Sequence, residues 1–158
     1  MTLGLQRETS ATLDVPEALL RFLAGVETAD WDGIEAFLAA DVLYDATVPG
    51  WHYQYAGRER VAAEYREEWT GHHPWTIVEL HIAPTPDGAV IDFELRGRQP
   101  DDEAQSAQEE GCRLANIFHL TDGRIAEHRL YCAGEWDEET LRRIEAEAPK
   151  VDRQAIGR

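Results

Sequence analysis

The chain is poor in cysteine, in positive charge and in long apolar runs, and each shortage removes a class of protein. Only Cys112 and Cys132 are present, so there is neither a disulfide framework nor a cysteine-rich metal site. Two reduced thiols on sheet strands is the simplest reading. Against 31 acidic residues stand 15 basic ones, a formal charge of −16, which repels a phosphate backbone and an anionic leaflet alike. Neither nucleic acid nor a membrane surface is therefore expected as a partner. No stretch approaches the ~20 apolar residues that span a bilayer. The start, MTLGLQRETSATLDVPEALL, lacks the basic segment and long apolar run of a secretory leader. A cytoplasmic protein is the expectation. With no nucleotide-binding glycine motif, no cofactor is expected either.

What is present suits one domain: 158 residues, 43% of them hydrophobic, fill one core without material for a second. The expected layout is an extended or disordered arm over 1–13, the domain over 14–137, and a short charged helix with a tail over 138–158. Val15-Pro16-Glu17 opens a helix in which Leu19, Leu20, Leu23 and Val26 recur at helical spacing to about Thr28. Asp30 is placed to cap a second, shorter helix with Ile34, Phe37 and Leu38 as its apolar stripe, ending near Asp41. A strand over Val42 to Val48 follows. Pro49-Gly50 breaks it before the aromatic run Trp51-His52-Tyr53-Gln54-Tyr55, a loop or short strand. Val61, Ala62, Tyr65 and Trp69 form one face of a third helix. Four alternating runs, Trp75 to Ala83, Ala89 to Arg98, Cys112 to Leu120 and Arg124 to Cys132, read as a meander, with Pro-Asp-Gly and Thr-Asp-Gly at two junctions. The polar segment QPDDEAQSAQEE suits an exposed connection.

The stretch AGVETADWDGIEAFLAADVLYDATVPG resembles the opening of nuclear transport factor 2-like proteins, and IFHLTDGRIAEHRLY resembles the final hairpin of their SnoaL-like branch. That resemblance implies an α+β cone: a curved mixed or antiparallel sheet wrapped around three N-terminal helices, with one central pocket, the cystatin-like roll. The superfamily includes polyketide cyclases, limonene epoxide hydrolases, ketosteroid isomerases and non-catalytic binding modules, so fold alone does not assign function. It also implies a homodimer.

Carried over residue by residue, the isomerase-type base falls on Ala46, which takes no proton, and the tyrosine donor on Phe22. The carboxylic acid donor falls on Asn116, an amide that still donates. The acidic position of the last strand falls on Leu130. The hydrolase charge pair falls on Glu94 and Arg96, in reversed order, and Tyr44 matches a water-positioning tyrosine.

Read from the residues alone, Asp92, Glu94, Arg96 and Arg98 are the solvent face of an amphipathic strand whose other face is Ile91, Phe93 and Leu95. The resemblance turns that charged face towards the pocket. His128 shares strand parity with Leu130 and Cys132, where it is either a general base near neutral pH or a hydrogen-bonded structural histidine. The candidate catalytic set is thus Glu94, Arg96, His128, Asn116 and Tyr44. Phe22, Trp51, Trp69, His72, Trp75 and Leu130 are candidates for the ligand wall, since such pockets are mostly apolar. His72-His73 has no spaced third ligand, so no metal is expected. Two functions stay open: a cofactor-independent acid–base enzyme (cyclase, isomerase, dehydratase or epoxide-type hydrolase) on an apolar or polyketide-like small molecule, or a non-catalytic ligand-binding or dimeric module. A third, an acidic partner recognised through its charge, needs only the composition.

Overall fold

A computed structural model describes residues 14–70, 75–99, 108–152 and 155, without the side chains of 68–70 and 99. The arm expected over 1–13, part of the acidic connection and His72 lie outside the described residues. Helix α1, Glu17–Thr28, starts just after Pro16, whose φ of −53° is already near helical, with the acid Glu17 in its first turn. Ala18, Leu19, Phe22, Leu23 and Val26 form its buried stripe. Burying the Phe and Leu side chains stabilises the fold by about 1.5–3 kcal/mol each. The helix ends on Ala29 in the left-handed region, φ 55°.

The second helix does not form. Asp30 accepts a hydrogen bond from the Asp32 amide at 3.0 Å, capping a turn instead of a helix. Only a 3-10 turn, Ile34–Phe37, follows. Strand β1, Leu38–Val48, takes the rest because its backbone finds ladder partners from Leu38 onward, opposite Ile125. A helix that short is marginal on its own, and the sheet outcompetes it.

The remaining elements are β2 (Trp51–Ala56), α2 (Arg58–Thr70), β3 (Thr76–Thr85), β4 (Gly88–Gln99), β5 (Gln108–Thr121), β6 (Arg124–Trp136) and α3 (Glu138–Glu147). The aromatic run is thus a full strand at the sheet edge. The six strands form one mixed sheet in the order β2-β1-β6-β5-β4-β3. Every pairing is antiparallel except β1 with β6. The α+β cone expected is present, but only two of its three α-helices are N-terminal, a 3-10 turn standing in for the other and α3 following the last strand.

Burial separates the two faces of the sheet. The inner row of β4 is Ala89, Ile91, Phe93 and Leu95, opposite Phe118, Asn116, Leu114 and Cys112 of β5, and all are buried. On β6 and β1 the inner residues His128 and Leu130 pair with Tyr44 and Ala46. Against this face α1 and α2 bring Phe22 and Tyr65, and the loop after α1 brings Trp31. Gly25 makes room for that indole: a Cβ there would meet the Trp31 ring at 2.5 Å. At Gly88 a Cβ would lie 1.9 Å from the Phe118 carbonyl oxygen, so β4 enters the sheet only with glycine. Helix α3, capped by Asp137 through the Thr140 amide, sets Leu141 near Gly111 on the opposite face.

Candidate functional site

The interior has a polar chain and an apolar cavity, and they are separate. The chain begins at Asn116, fully buried, whose Nδ2 donates to the Ile91 carbonyl at 3.2 Å. Its Oδ1 is then an acceptor, so the His128 Nε2–H donates to it at 2.9 Å. In the neutral imidazole Nδ1 must accept, and the Tyr65 hydroxyl donates to it at 2.7 Å. Both ring nitrogens are therefore engaged.

Three further rings enclose the imidazole. Phe118 stacks on it at 4.3 Å between centroids, Tyr44 lies at 4.9 Å and Phe22 at 5.1 Å. Burial pushes the His128 pKa down to about 3, because nothing around it repays the desolvation of a cation. At neutral pH it is uncharged, a poor proton acceptor sealed from solvent.

The cavity opens further along the same inner row. It has a volume of about 410 Å³ and is lined by Trp75, Leu95, Cys112, Leu114, Leu130 and Cys132 together with Val48, Pro49, Gly134 and Glu135. Successive inner positions of a strand lie about 6.6 Å apart. His128, Leu130 and Cys132 therefore run from the sealed core to the cavity wall, with Leu130 between them. Glu135 is the only carboxylate among the described lining residues. A second depression of about 350 Å³, between Val15, Pro16 and the β3–β4 turn, lies at the opposite end of the strands.

Glu94 and Arg96 are not in the cavity. The inner face of β4 belongs to Ile91, Phe93 and Leu95, so the charged row faces outward, as alternation alone indicated. There Arg96 Nε donates to Glu94 at 2.8 Å, and Arg113 bridges Glu79 and Asp92 at 2.9 Å each. Arg96 also approaches Glu145 of α3 at 3.7 Å. This is a surface ion network that knits β3, β4, β5 and α3. With Glu94 and Arg96 only 15% and 17% exposed, their pairing offsets the cost of burying two charges.

Of the expected ligand wall, the structure brings Trp75 and Leu130 together in the cavity. Phe22 and Tyr44 are instead fully buried around His128, and Trp51 is 69% exposed at the start of β2. Neither Asn116 nor His128 is among the lining residues. The Trp69 side chain and His72 lie outside the described residues. Leu95, Leu114 and the two cysteines are further wall residues, and their parity with Leu130 across paired strands is the signal for them in the sequence. Among the described residues no group of three or more His, Cys, Asp or Glu is placed to hold a metal ion. No described helix is long and apolar enough to cross a membrane.

An open, curved six-stranded sheet packed on two helices, with a cavity at one end, is the nuclear transport factor 2-like architecture. A SnoaL-like domain model matches residues 19–128, well over half of the chain. The chain belongs to the SnoaL-like domain family. Among solved structures it is similar to an NTF2-like protein from Anabaena variabilis, with a TM-score of 0.57, 18% identity, and coverage of 74% of this chain and 84% of that one. It is also similar to a candidate polyketide cyclase from Pseudomonas putida, with a TM-score of 0.58, 20% identity, and coverage of 80% and 93%. A third is an LEH-like epoxide hydrolase from M. tuberculosis, with a TM-score of 0.51, 24% identity, and coverage of 74% and 80%. At these identities the likeness concerns the fold. No curated protein matches the chain by sequence.

Proposed function

We propose that the protein binds an apolar small molecule in the cavity bounded by Trp75, Leu114 and Leu130, and does so without proton transfer through the residues of the polar chain. One observation carries this reading: the wall is apolar apart from Glu135, while every acid–base candidate drawn from the sequence is elsewhere. Glu94 and Arg96 face outward, and His128 and Asn116 are consumed by one another and sealed. Apolar walls with few polar anchors are what small-molecule sites use.

Family membership favours an acid–base enzyme as the second reading. Its proton carrier would then be Glu135, the carboxylate in the cavity wall. Titration with an environment-sensitive apolar fluorophore separates the two. Leu130→Trp fills the cavity and should weaken binding at least tenfold, about 1.4 kcal/mol, whereas Glu94→Gln should leave it unchanged. Loss of binding in Glu94→Gln with Leu130→Trp unaffected would reverse the assignment. A Glu135→Gln variant that binds normally but loses a turnover seen in wild type would favour the enzyme.

The homodimer remains part of the proposal. Tyr131, 46% exposed, stands on the outer face of the sheet opposite Ala115 and Thr47. A sedimentation coefficient of a single chain at all concentrations would exclude it.

A further inference from the structure

The cavity wall holds two sulfur atoms that the ligand-binding reading does not use. Cys112 on β5 and Cys132 on β6 are both inner-row residues, and both line the cavity. Between them the β5–β6 register shifts: Leu114 faces Cys132, but Cys112 faces Glu135. The extra residue on β6 is absorbed around Gly134, whose φ of +106° suits glycine alone. The two thiols lie close enough across the strands for each to bear on the ionisation of the other. The Gly134 amide also donates to Cys132 Sγ at 3.4 Å.

The pair is asymmetric. Cys112 is buried, 6% exposed, whereas Cys132 is only partly buried beside the open cavity. The Gly134 amide donates to the Cys132 sulfur, and a donated N–H favours negative charge there. The neighbouring Cys132 and burial together push the Cys112 thiol far above the usual thiol range, so it keeps its proton. Cys132 is therefore the attacking sulfur and Cys112 the resolving one. The carboxylates of Glu135 and Glu110 lie close enough to disfavour a Cys112 thiolate, and they repel anionic oxidants as well. A small neutral oxidant suits the site best.

We propose that Cys112 and Cys132 form a reactive dithiol in the cavity wall that small hydroperoxides oxidise to an intramolecular disulfide, tying β5 to β6 beside the ligand. With hydrogen peroxide, the Cys132 thiolate attacks one peroxide oxygen and the O–O bond breaks. Cys132 becomes a sulfenic acid, and the departing hydroxide takes up the thiol's proton as water. Cys112 then attacks that sulfur, an S–S bond forms, and the sulfenic oxygen leaves with the Cys112 proton as a second water. Two thiols lose two electrons and two protons, and one peroxide is reduced to two waters.

The test is intact mass spectrometry of the full chain after exposure to hydrogen peroxide and acid quench. Wild type should lose the mass of two hydrogens, regain it with dithiothreitol, and give a peptide linking Cys112 to Cys132. Cys112→Ser should instead gain one oxygen at Cys132, trappable with dimedone, and Cys132→Ser should stay unmodified at the same dose. Wild type that keeps two free thiols, that gains oxygen without the link, or that links only between two chains would overturn the proposal. This readout needs no bound ligand, so it stands or falls independently of the cavity's occupant.

Discussion

Lowering the pH from 7 to 5 should destabilise the fold through one residue, His128. Its imidazole is wholly buried, and burial depresses its pKa from 6.5 to about 3. The groups against it are the Tyr65 hydroxyl, the Asn116 amide and the rings of Phe22, Tyr44 and Phe118, none able to compensate a charge. The folded pKa therefore lies below the unfolded one, and the unfolded chain binds the proton first. Stability from this group is complete above pH ~6.5 and is lost as the pH falls through that value towards ~3. Each unit of displacement is worth about 1.4 kcal/mol. Linkage puts the loss between pH 7 and pH 5 at about 2 kcal/mol, and at about 5 kcal/mol over the whole window. Glu35, Asp45 and Glu79 are held below their ordinary values of 4.5, 3.8 and 4.5 by hydrogen bonds from Arg66, Gln54 and His81, so their contributions fade only at lower pH. Urea denaturation at pH 7, 6 and 5 measures the slope. His128→Asn should be less stable at pH 7 but nearly flat over the interval. A flat wild-type curve, or an equal slope in His128→Asn, would refute the reasoning.

Gly25→Ala should lower stability by about 1–2 kcal/mol in the same assay, because overpacking against the Trp31 ring exceeds the gain of about 1 kcal/mol in helix propensity. Gly88→Ala should cost more, since the atom it meets is the Phe118 backbone oxygen, and a thermal midpoint unchanged from wild type would contradict the close approach. Glu94→Gln should change stability by less than about 1 kcal/mol, as expected for an outward pair whose arginine keeps Glu145 and Glu109 nearby. Arg113→Met should cost about 1 kcal/mol at low salt, and much of that difference should vanish in 1 M sodium chloride, where exposed pairs are screened.

The strands were legible because their periodicity is local: Ile91, Phe93 and Leu95 alternate with charges, and the inward row follows from that alone. The second helix gives way to a turn and a strand for a non-local reason. Asp30 is as good at capping a turn as a helix, and only the parallel partner β6, far along the chain, shows that Leu38 begins a strand. The site divided in the same way. Parity placed His128, Leu130 and Cys132 on one face, but depth along that face depends on which rings α1 and α2 lay over it. Phe22 and Tyr65 pack on His128, whereas Leu130 and Cys132 line the cavity. On β4 the alternation alone sets the charged row outward, whereas the resemblance, applied to a pair in reversed order, implies the opposite face.

A crystal structure of the protein soaked with an apolar probe would test the ligand site most directly. Density should appear between Trp75, Leu114 and Leu130, with the Tyr65–His128–Asn116 chain unchanged behind Leu130. Density beside Glu94 and Arg96 on the outer face, or a cavity filled by Trp75 with no probe bound, would contradict it.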